Sequence, residues 1–293
     1  MSSTAAPSLE AGDGHRWELV ASVPARPRAA LLWLPALGVG ARHYQPFAQA
    51  LADRGIAAYV HEWRGAGSSS LRAGRDCDWG YRELLELDLR AAAAGVQRLH
   101  PGTETVIGGH SLGGQLACCL LALQPDAAQR IWLVASGAPY WRAFPFPQRP
   151  LLPLVYRFLP WLADRNGALP GRAIRFGGNE ARGLVRDWAR TGLTGVYAAR
   201  GLDADLEAGM ARIRAPVRAA VMASDWLGPP ASLRFLLSKL HGAPTEVTTF
   251  DDAMLGTRAD HFAWMRQPDA VADWLTAAPP PQAGPTRPAR VET

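Results

Sequence analysis

Short, mostly apolar runs alternate along the chain with segments whose apolar residues recur every three or four positions. Ala29–Leu34, Ile56–His61, Thr103–Gly108, Arg130–Ser136, Val217–Ala223 and Glu246–Phe250 are of the first kind and predict strands, with Trp17–Val23 as an outer strand. Between them Arg42–Arg54, Tyr81–Leu99, Leu112–Leu123, Ala231–Leu240 and Gln267–Thr276 predict helices. In Tyr81–Leu99 the residues Leu85, Leu89, Ala92, Val96 and Leu99 fall on one face. Strands without alternating polar positions need cover on both faces, and intervening helices supply it. The pattern therefore predicts an α/β fold built on a mostly parallel, doubly wound sheet. Eight even strand–helix units, as in a barrel, are not present. The rhythm breaks over residues 139–212, which predict a helical cap insertion dividing a core of residues 15–138 and 213–277. Within it, Glu180–Arg190 reads as an amphipathic helix. Residues 1–14 and the Pro-rich residues 278–293 are expected to be disordered tails.

Composition narrows the class. With 48% hydrophobic and 19% charged residues in 293, the chain can bury a large core without disulfides or metal. Its net charge of +5 comes from thirty scattered arginines and a single lysine, Lys239. No basic block is formed, so no nucleic-acid partner is expected. Cys77, Cys118 and Cys119 are odd in number, and two are adjacent in an apolar run, which points to a reducing compartment. The first residues have no basic segment leading into an apolar one, and no apolar stretch approaches the ~20 residues needed to span a bilayer. A cytoplasmic protein without an integral membrane segment is expected. No zinc spacing, phosphate loop or dinucleotide fingerprint is present, so neither metal nor cofactor is expected.

The sharpest local signal is Gly109-His110-Ser111-Leu112-Gly113, between a predicted strand and a predicted helix. A serine on so tight a strand-to-helix turn is strained, and the residues two positions away must be small to avoid collision across it. The helix start behind Ser111 favours a developing oxyanion. This G-x-S-x-G elbow, with Glu62-Trp63-Arg64-Gly65-Ala66-Gly67-Ser68 after the second strand, resembles the α/β-hydrolase superfamily. Within it the chain looks most like bacterial hydrolases of unassigned substrate. The resemblance extends over about residues 15–277 and implies an α/β-hydrolase fold and a serine nucleophile, Ser111.

The superfamily order of nucleophile, acid and histidine implies the remaining residues. Of seven histidines, His261 follows the final strand on a loop, where this fold delivers its general base. Asp225 ends the strand that follows the insertion and is the expected acid; Asp251 and Asp252 are rivals, and Asp260 reads as a loop-fixing carboxylate. Oxyanion-hole amides are expected from Leu112, just after the nucleophile, and from Leu37. Many relatives carry His-Gly where this chain has Pro35-Ala36, and proline has no N–H to give.

Seven aromatic residues lie within residues 140–161. They are expected either to roof a substrate pocket, with Trp141, Phe144 and His110 as candidate contacts, or to form the insertion's own core. A third reading, a membrane-surface contact by Leu151–Trp161, is opposed by Arg157 and the prolines. The sequence thus predicts a serine hydrolase cleaving a small apolar carboxylic ester through an acyl-enzyme, carboxylesterase- or lipase-like. A thioesterase or serine peptidase with the same three residues, or a catalytically silent binding protein on this fold, is the alternative.

Overall fold

The computed structural model describes residues 7–278. The expected C-terminal tail, from residue 279 on, lies outside the described residues.

Seven strands form the main sheet in the order β11-β10-β7-β6-β4-β5-β3. They are β3 (Val20–Ser22), β4 (Ala29–Leu34), β5 (Ile56–Val60), β6 (Glu104–His110), β7 (Arg130–Val134), β10 (Val217–Met222) and β11 (Thr245–Phe250). All neighbours run parallel except β3, which pairs antiparallel with β5. Every residue of β4, β5 and β10 is buried, as mostly apolar strands require when both faces are covered. Ala30, Leu32 and Leu34 of β4 join the core on one face, and Ala29, Leu31 and Trp33 join the core on the other. α3 (Arg90–Leu99), α4 (Leu112–Leu123) and α9 (Pro230–Leu237) close the first core; α1 (Gln45–Ala52) and α11 (Asp269–Thr276) close the second. The fold is that of an α/β hydrolase.

Strand order positions the site. From β4 the chain steps outward to β5, then crosses back to β6 on the other side of β4. Leu34 and Gly109 pair at the ends of β4 and β6, so the loops leaving these two strands diverge over one crevice. Such a reversal of strand order is where open α/β sheets bind ligands.

Several elements depart from the sequence pattern. The region expected as a single outer strand is split, with β2 (Arg16–Glu18) turning away from β3. Ser8–Glu10, within the expected N-terminal tail, form β1, which pairs antiparallel with β2, while residues 1–6 lie outside the described residues. What fixes this hairpin is charge rather than apolar periodicity. Asp13 accepts from the Arg64 guanidinium at 2.6 Å, and His15 reaches Asp88 at 3.1 Å and Ser69 at 2.9 Å. Asp88 sits in a wide π turn, Leu84–Leu89, between α2 (Tyr81–Glu83) and α3, and accepts two hydrogen bonds from Arg64 at 2.6 and 2.9 Å. Burial pushes the Asp88 carboxyl up, but the bonds from Arg64 and His15 outweigh it and hold the group below the usual carboxylate range. Its stabilising contribution is therefore full at neutral pH and is lost only in strong acid. Asp88→Ala, which leaves the buried Arg64 guanidinium with Asp13 as its carboxylate partner and removes the partner of His15, is expected to cost about 3 kcal/mol in urea unfolding.

Between β7 and β10 the chain adds no strand to the main sheet. It forms α5 (Gln148–Asn166), a two-stranded ribbon of β8 (Leu169–Pro170) and β9 (Asn179–Glu180) around α6 (Gly171–Ile174), then α7 (Arg182–Thr194) and α8 (Leu206–Ala211). α5 runs through Pro153 and Pro160 because its inner face, Tyr156, Leu159 and Ala163, is buried. α10 (Asp252–Leu255) precedes the loop that carries His261.

Candidate active site

The turn from β6 into α4 holds Ser111 at φ 55°, ψ −120°, a conformation non-glycine residues avoid. Such a backbone costs on the order of 1–3 kcal/mol and persists only where its surroundings over-determine it. Those surroundings explain the glycines. A Cβ on Gly109 would lie 2.2 Å from the Gly113 carbonyl carbon, and one on Gly113 would lie 2.0 Å from the Leu34 carbonyl oxygen. The turn is also tied from outside. The Ser111 amide donates to the Val134 carbonyl at 3.3 Å, and the Ser136 hydroxyl donates to the Ser111 carbonyl at 2.8 Å.

Asp225 and His261 come together from two different loops, with Nδ1 of His261 2.7 Å from Oδ2 of Asp225. The other oxygen of Asp225 accepts the amides of Leu227 and Gly228 at 2.8 and 2.9 Å, which fixes the carboxylate. Both side chains are buried. The rival carboxylates are engaged elsewhere. Asp251 caps α10 through the Met254 amide, Asp252 accepts the Ala259 amide, and Asp260 accepts the amides of Phe262 and Ala263. The Ser111 hydroxyl makes no hydrogen bond to the His261 ring; nucleophile–base contacts of this kind commonly tighten in the Michaelis complex.

The loop after β4 is clamped at three points. The Trp63 indole donates to the Pro35 carbonyl at 3.1 Å, the Ala36 amide donates to the Tyr44 hydroxyl at 2.8 Å, and the Ala41 amide donates to Glu62 at 3.0 Å. With Pro35 lacking an N–H and the Ala36 amide taken, Leu37 carries the next amide in the loop. Burial raises the Glu62 carboxyl above its ordinary value. Gly38 has φ +74° and lies against Gly177 and Gly178 of the β8–β9 ribbon so closely that a Cβ would fall 2.2 Å from the Gly178 nitrogen.

His110 is buried completely, with Nδ1 2.8 Å from the Tyr44 hydroxyl and its ring 4.7 Å from that of His261. Burial first, and then the neighbouring His261, push it well below the usual imidazole range, so it is neutral. Because the Tyr44 oxygen already accepts from Ala36, its O–H is free to donate to His110. Tyr44 thus joins the loop after β4 to the elbow, a role no sequence motif marks.

A crevice opens beside the loop after β4 and the start of α4, lined by Leu37, Trp63, Trp79, Leu112 and Leu184, with Arg172 and Glu180 from the ribbon; Ser111, Asp225 and His261 are not among its walls. Leu37 and Leu112, the two expected amide donors, are thus brought to one crevice. Trp141, Phe144 and His110, expected as substrate contacts, are not among its walls. Trp141 lies under the guanidinium groups of Arg142 and Arg149, and Phe144 is buried. Glu180 accepts the Gly178 amide at 2.7 Å, and burial raises its carboxyl above the ordinary value. Among the described residues no three His, Cys, Asp or Glu side chains are grouped to hold a metal ion.

Comparison with known proteins agrees with this architecture. Residues 25–254 match the family model described as serine aminopeptidase, S33. No significant match is found among proteins of curated function. Est1E from Butyrivibrio proteoclasticus, solved with ferulic acid, superposes with TM-score 0.63 at 14% identity, covering 92% of this chain and 97% of that one. The enol-lactonase from Burkholderia xenovorans gives TM-score 0.58 at 17% identity, covering 92% and 98%. A thioesterase domain from the curacin biosynthetic pathway gives TM-score 0.60 at 16% identity, covering 94% and 100%. At these identities the likeness is one of fold.

Proposed function

The chain belongs to the serine aminopeptidase S33 family of α/β hydrolases, and from that premise we propose that it hydrolyses a carboxylic ester through an acyl-enzyme on Ser111. The observation that carries this reading is the 2.7 Å contact of His261 with Asp225 in a chain whose Ser111 occupies a strained elbow. Asp225 holds the imidazole as its Nδ1–H tautomer, so Nε2 takes the proton of the Ser111 hydroxyl as it attacks the carbonyl carbon. The tetrahedral oxyanion draws on the amides of Leu37 and Leu112 and on the start of α4. Collapse expels the alcohol, which receives the proton from His261. Water then repeats the sequence and releases the acid. The segment of residues 139–212 serves as a cap over the crevice, and the chain acts in the cytoplasm, a reading its free cysteines support.

The apolar walls of the crevice favour a small, largely apolar acyl or alkoxy group. Purified protein assayed on p-nitrophenyl esters of graded length, a matched acyl thioester and an aminoacyl p-nitroanilide tests the choice of bond. The ester is expected to give the highest kcat/KM; a preference for the thioester or the anilide replaces ester cleavage with the alternative chemistry on the same three residues.

The crevice also sets chain-length preference. Leu184→Ala is expected to shift the optimum towards longer acyl chains, mostly through KM. Apolar walls discriminate by roughly 1–3 kcal/mol per methylene-scale change, so kcat for an acetate ester should stay within about tenfold. Trp141→Ala, outside the walls, is expected to leave the optimum where it is. Thermal melts separate both effects from loss of folding.

A further inference from the structure

Five large apolar side chains stand in solvent along one stretch: Phe146, Leu151, Leu154, Phe158 and Trp161 are each between 50% and 81% exposed. Four of them lie on α5. At about 100° per residue, Leu151, Leu154, Phe158 and Trp161 fall within an arc of about 80°, opposite the buried Tyr156, Leu159 and Ala163. The inner face is covered, since Leu159 and Ala163 pack with Leu169 and Val185. The outer face is continuous, with the rings of Phe158 and Trp161 5.7 Å apart. Contiguous apolar surface of this kind on a soluble fold marks an interaction site.

Two arginines of α5 lie along it: Arg165 falls within the arc and Arg157 about 40° beyond its edge. Neither is ion-paired among the described residues, whereas the one acid of α5, Asp164, is paired with Arg186. An apolar arc flanked by uncompensated arginines and carrying a tryptophan matches a negatively charged bilayer surface. There the apolar side chains enter the acyl boundary, and the long arginines reach back to headgroup phosphates. A symmetric contact with a second copy would instead bring the same arginines face to face.

We propose that the outer face of α5, with Phe146, docks the protein on an anionic lipid surface. The helix lies on the surface rather than across it, since no described helix is long and apolar enough to span. This docking does not depend on the proposed hydrolysis. It turns the two sequence features that oppose a membrane contact into part of it: the prolines are accommodated within the helix, and Arg157 supplies charge.

The test is flotation of the full chain with vesicles of phosphatidylcholine alone or mixed with phosphatidylglycerol. Binding is expected to be at least about tenfold stronger to the anionic vesicles and to weaken as salt rises. The double variant Leu154→Glu with Phe158→Glu is expected to lower it at least about tenfold at an unchanged Tm. Arg157→Glu with Arg165→Glu should remove the preference for phosphatidylglycerol, and these exposed substitutions carry the test should the first pair lower Tm. Failure of the unmodified chain to bind anionic vesicles overturns the proposal, as does full binding by well-folded variants of both pairs. A dimer in light scattering that ignores vesicles and is dissociated by the Leu154→Glu, Phe158→Glu pair assigns the face to a second copy and equally overturns it.

Discussion

Ser111→Ala is expected to abolish turnover of a p-nitrophenyl ester, by at least about 10³-fold in kcat, while the thermal melt stays that of the parent chain. Alanine removes the attacking oxygen but keeps the Cβ, so the packing of Gly109, Gly113 and Leu34 around the turn is untouched. The backbone bonds that hold the elbow, from the Ser111 amide to Val134 and from Ser136 to the Ser111 carbonyl, do not involve the lost hydroxyl. Any remaining rate above that in water reflects oxyanion stabilisation and substrate binding alone. Near-parental turnover by a folded Ser111→Ala chain would remove the acyl-enzyme from the account.

Asp225→Asn is expected to lower kcat by roughly 10³–10⁴-fold. The amide is nearly isosteric, and the oxygen facing Leu227 and Gly228 can keep both of their amides. Its NH₂ group is then turned towards His261, which can meet that donor only with Nδ1 unprotonated. The proton moves to Nε2, the position that has to be empty to accept one from the serine. Asp251→Asn, Asp252→Asn and Asp260→Asn alter turn caps away from the imidazole and are expected to leave kcat within about tenfold. A large loss confined to one of those three would reassign the acid.

What the sequence disclosed follows from where the constraints are local. Seven residues around Ser111 carry a turn geometry that few other residues can adopt, and unbroken apolar runs such as Ala29–Leu34 and Ile56–Val60 admit little but buried parallel strands. The pairing of His261 with Asp225 is long-range, and only the superfamily's order of elements brought the two into consideration. Groups held by long-range polar contacts stayed hidden. Nothing near Tyr44 signals that its hydroxyl will meet the Ala36 amide and His110. The hairpin of β1 and β2 is short and mostly polar, and its order depends on Arg64 and Asp88, which are far away in sequence. In α5, local propensity and tertiary packing disagree. Two interior prolines read as breaks, yet burial of Tyr156, Leu159 and Ala163 carries the helix through them. Aromatic density in the sequence points to Trp141 and Phe144, whereas the crevice beside Leu37 and Leu112 is walled by Trp63, Trp79 and Leu184 on three separate segments.

The central claim is that Ser111 is an activated nucleophile, and covalent capture addresses it without any knowledge of the natural substrate. Purified protein treated with a fluorophosphonate and digested for mass spectrometry is expected to carry one phosphonate on the peptide containing Gly109-His110-Ser111. The adduct should be lost in Ser111→Ala and form much more slowly in Asp225→Asn. A chain that hydrolyses esters but carries the adduct on another residue, or that stays unmodified and inactive while folded, contradicts the account, the second outcome favouring a binding protein built on a hydrolase fold.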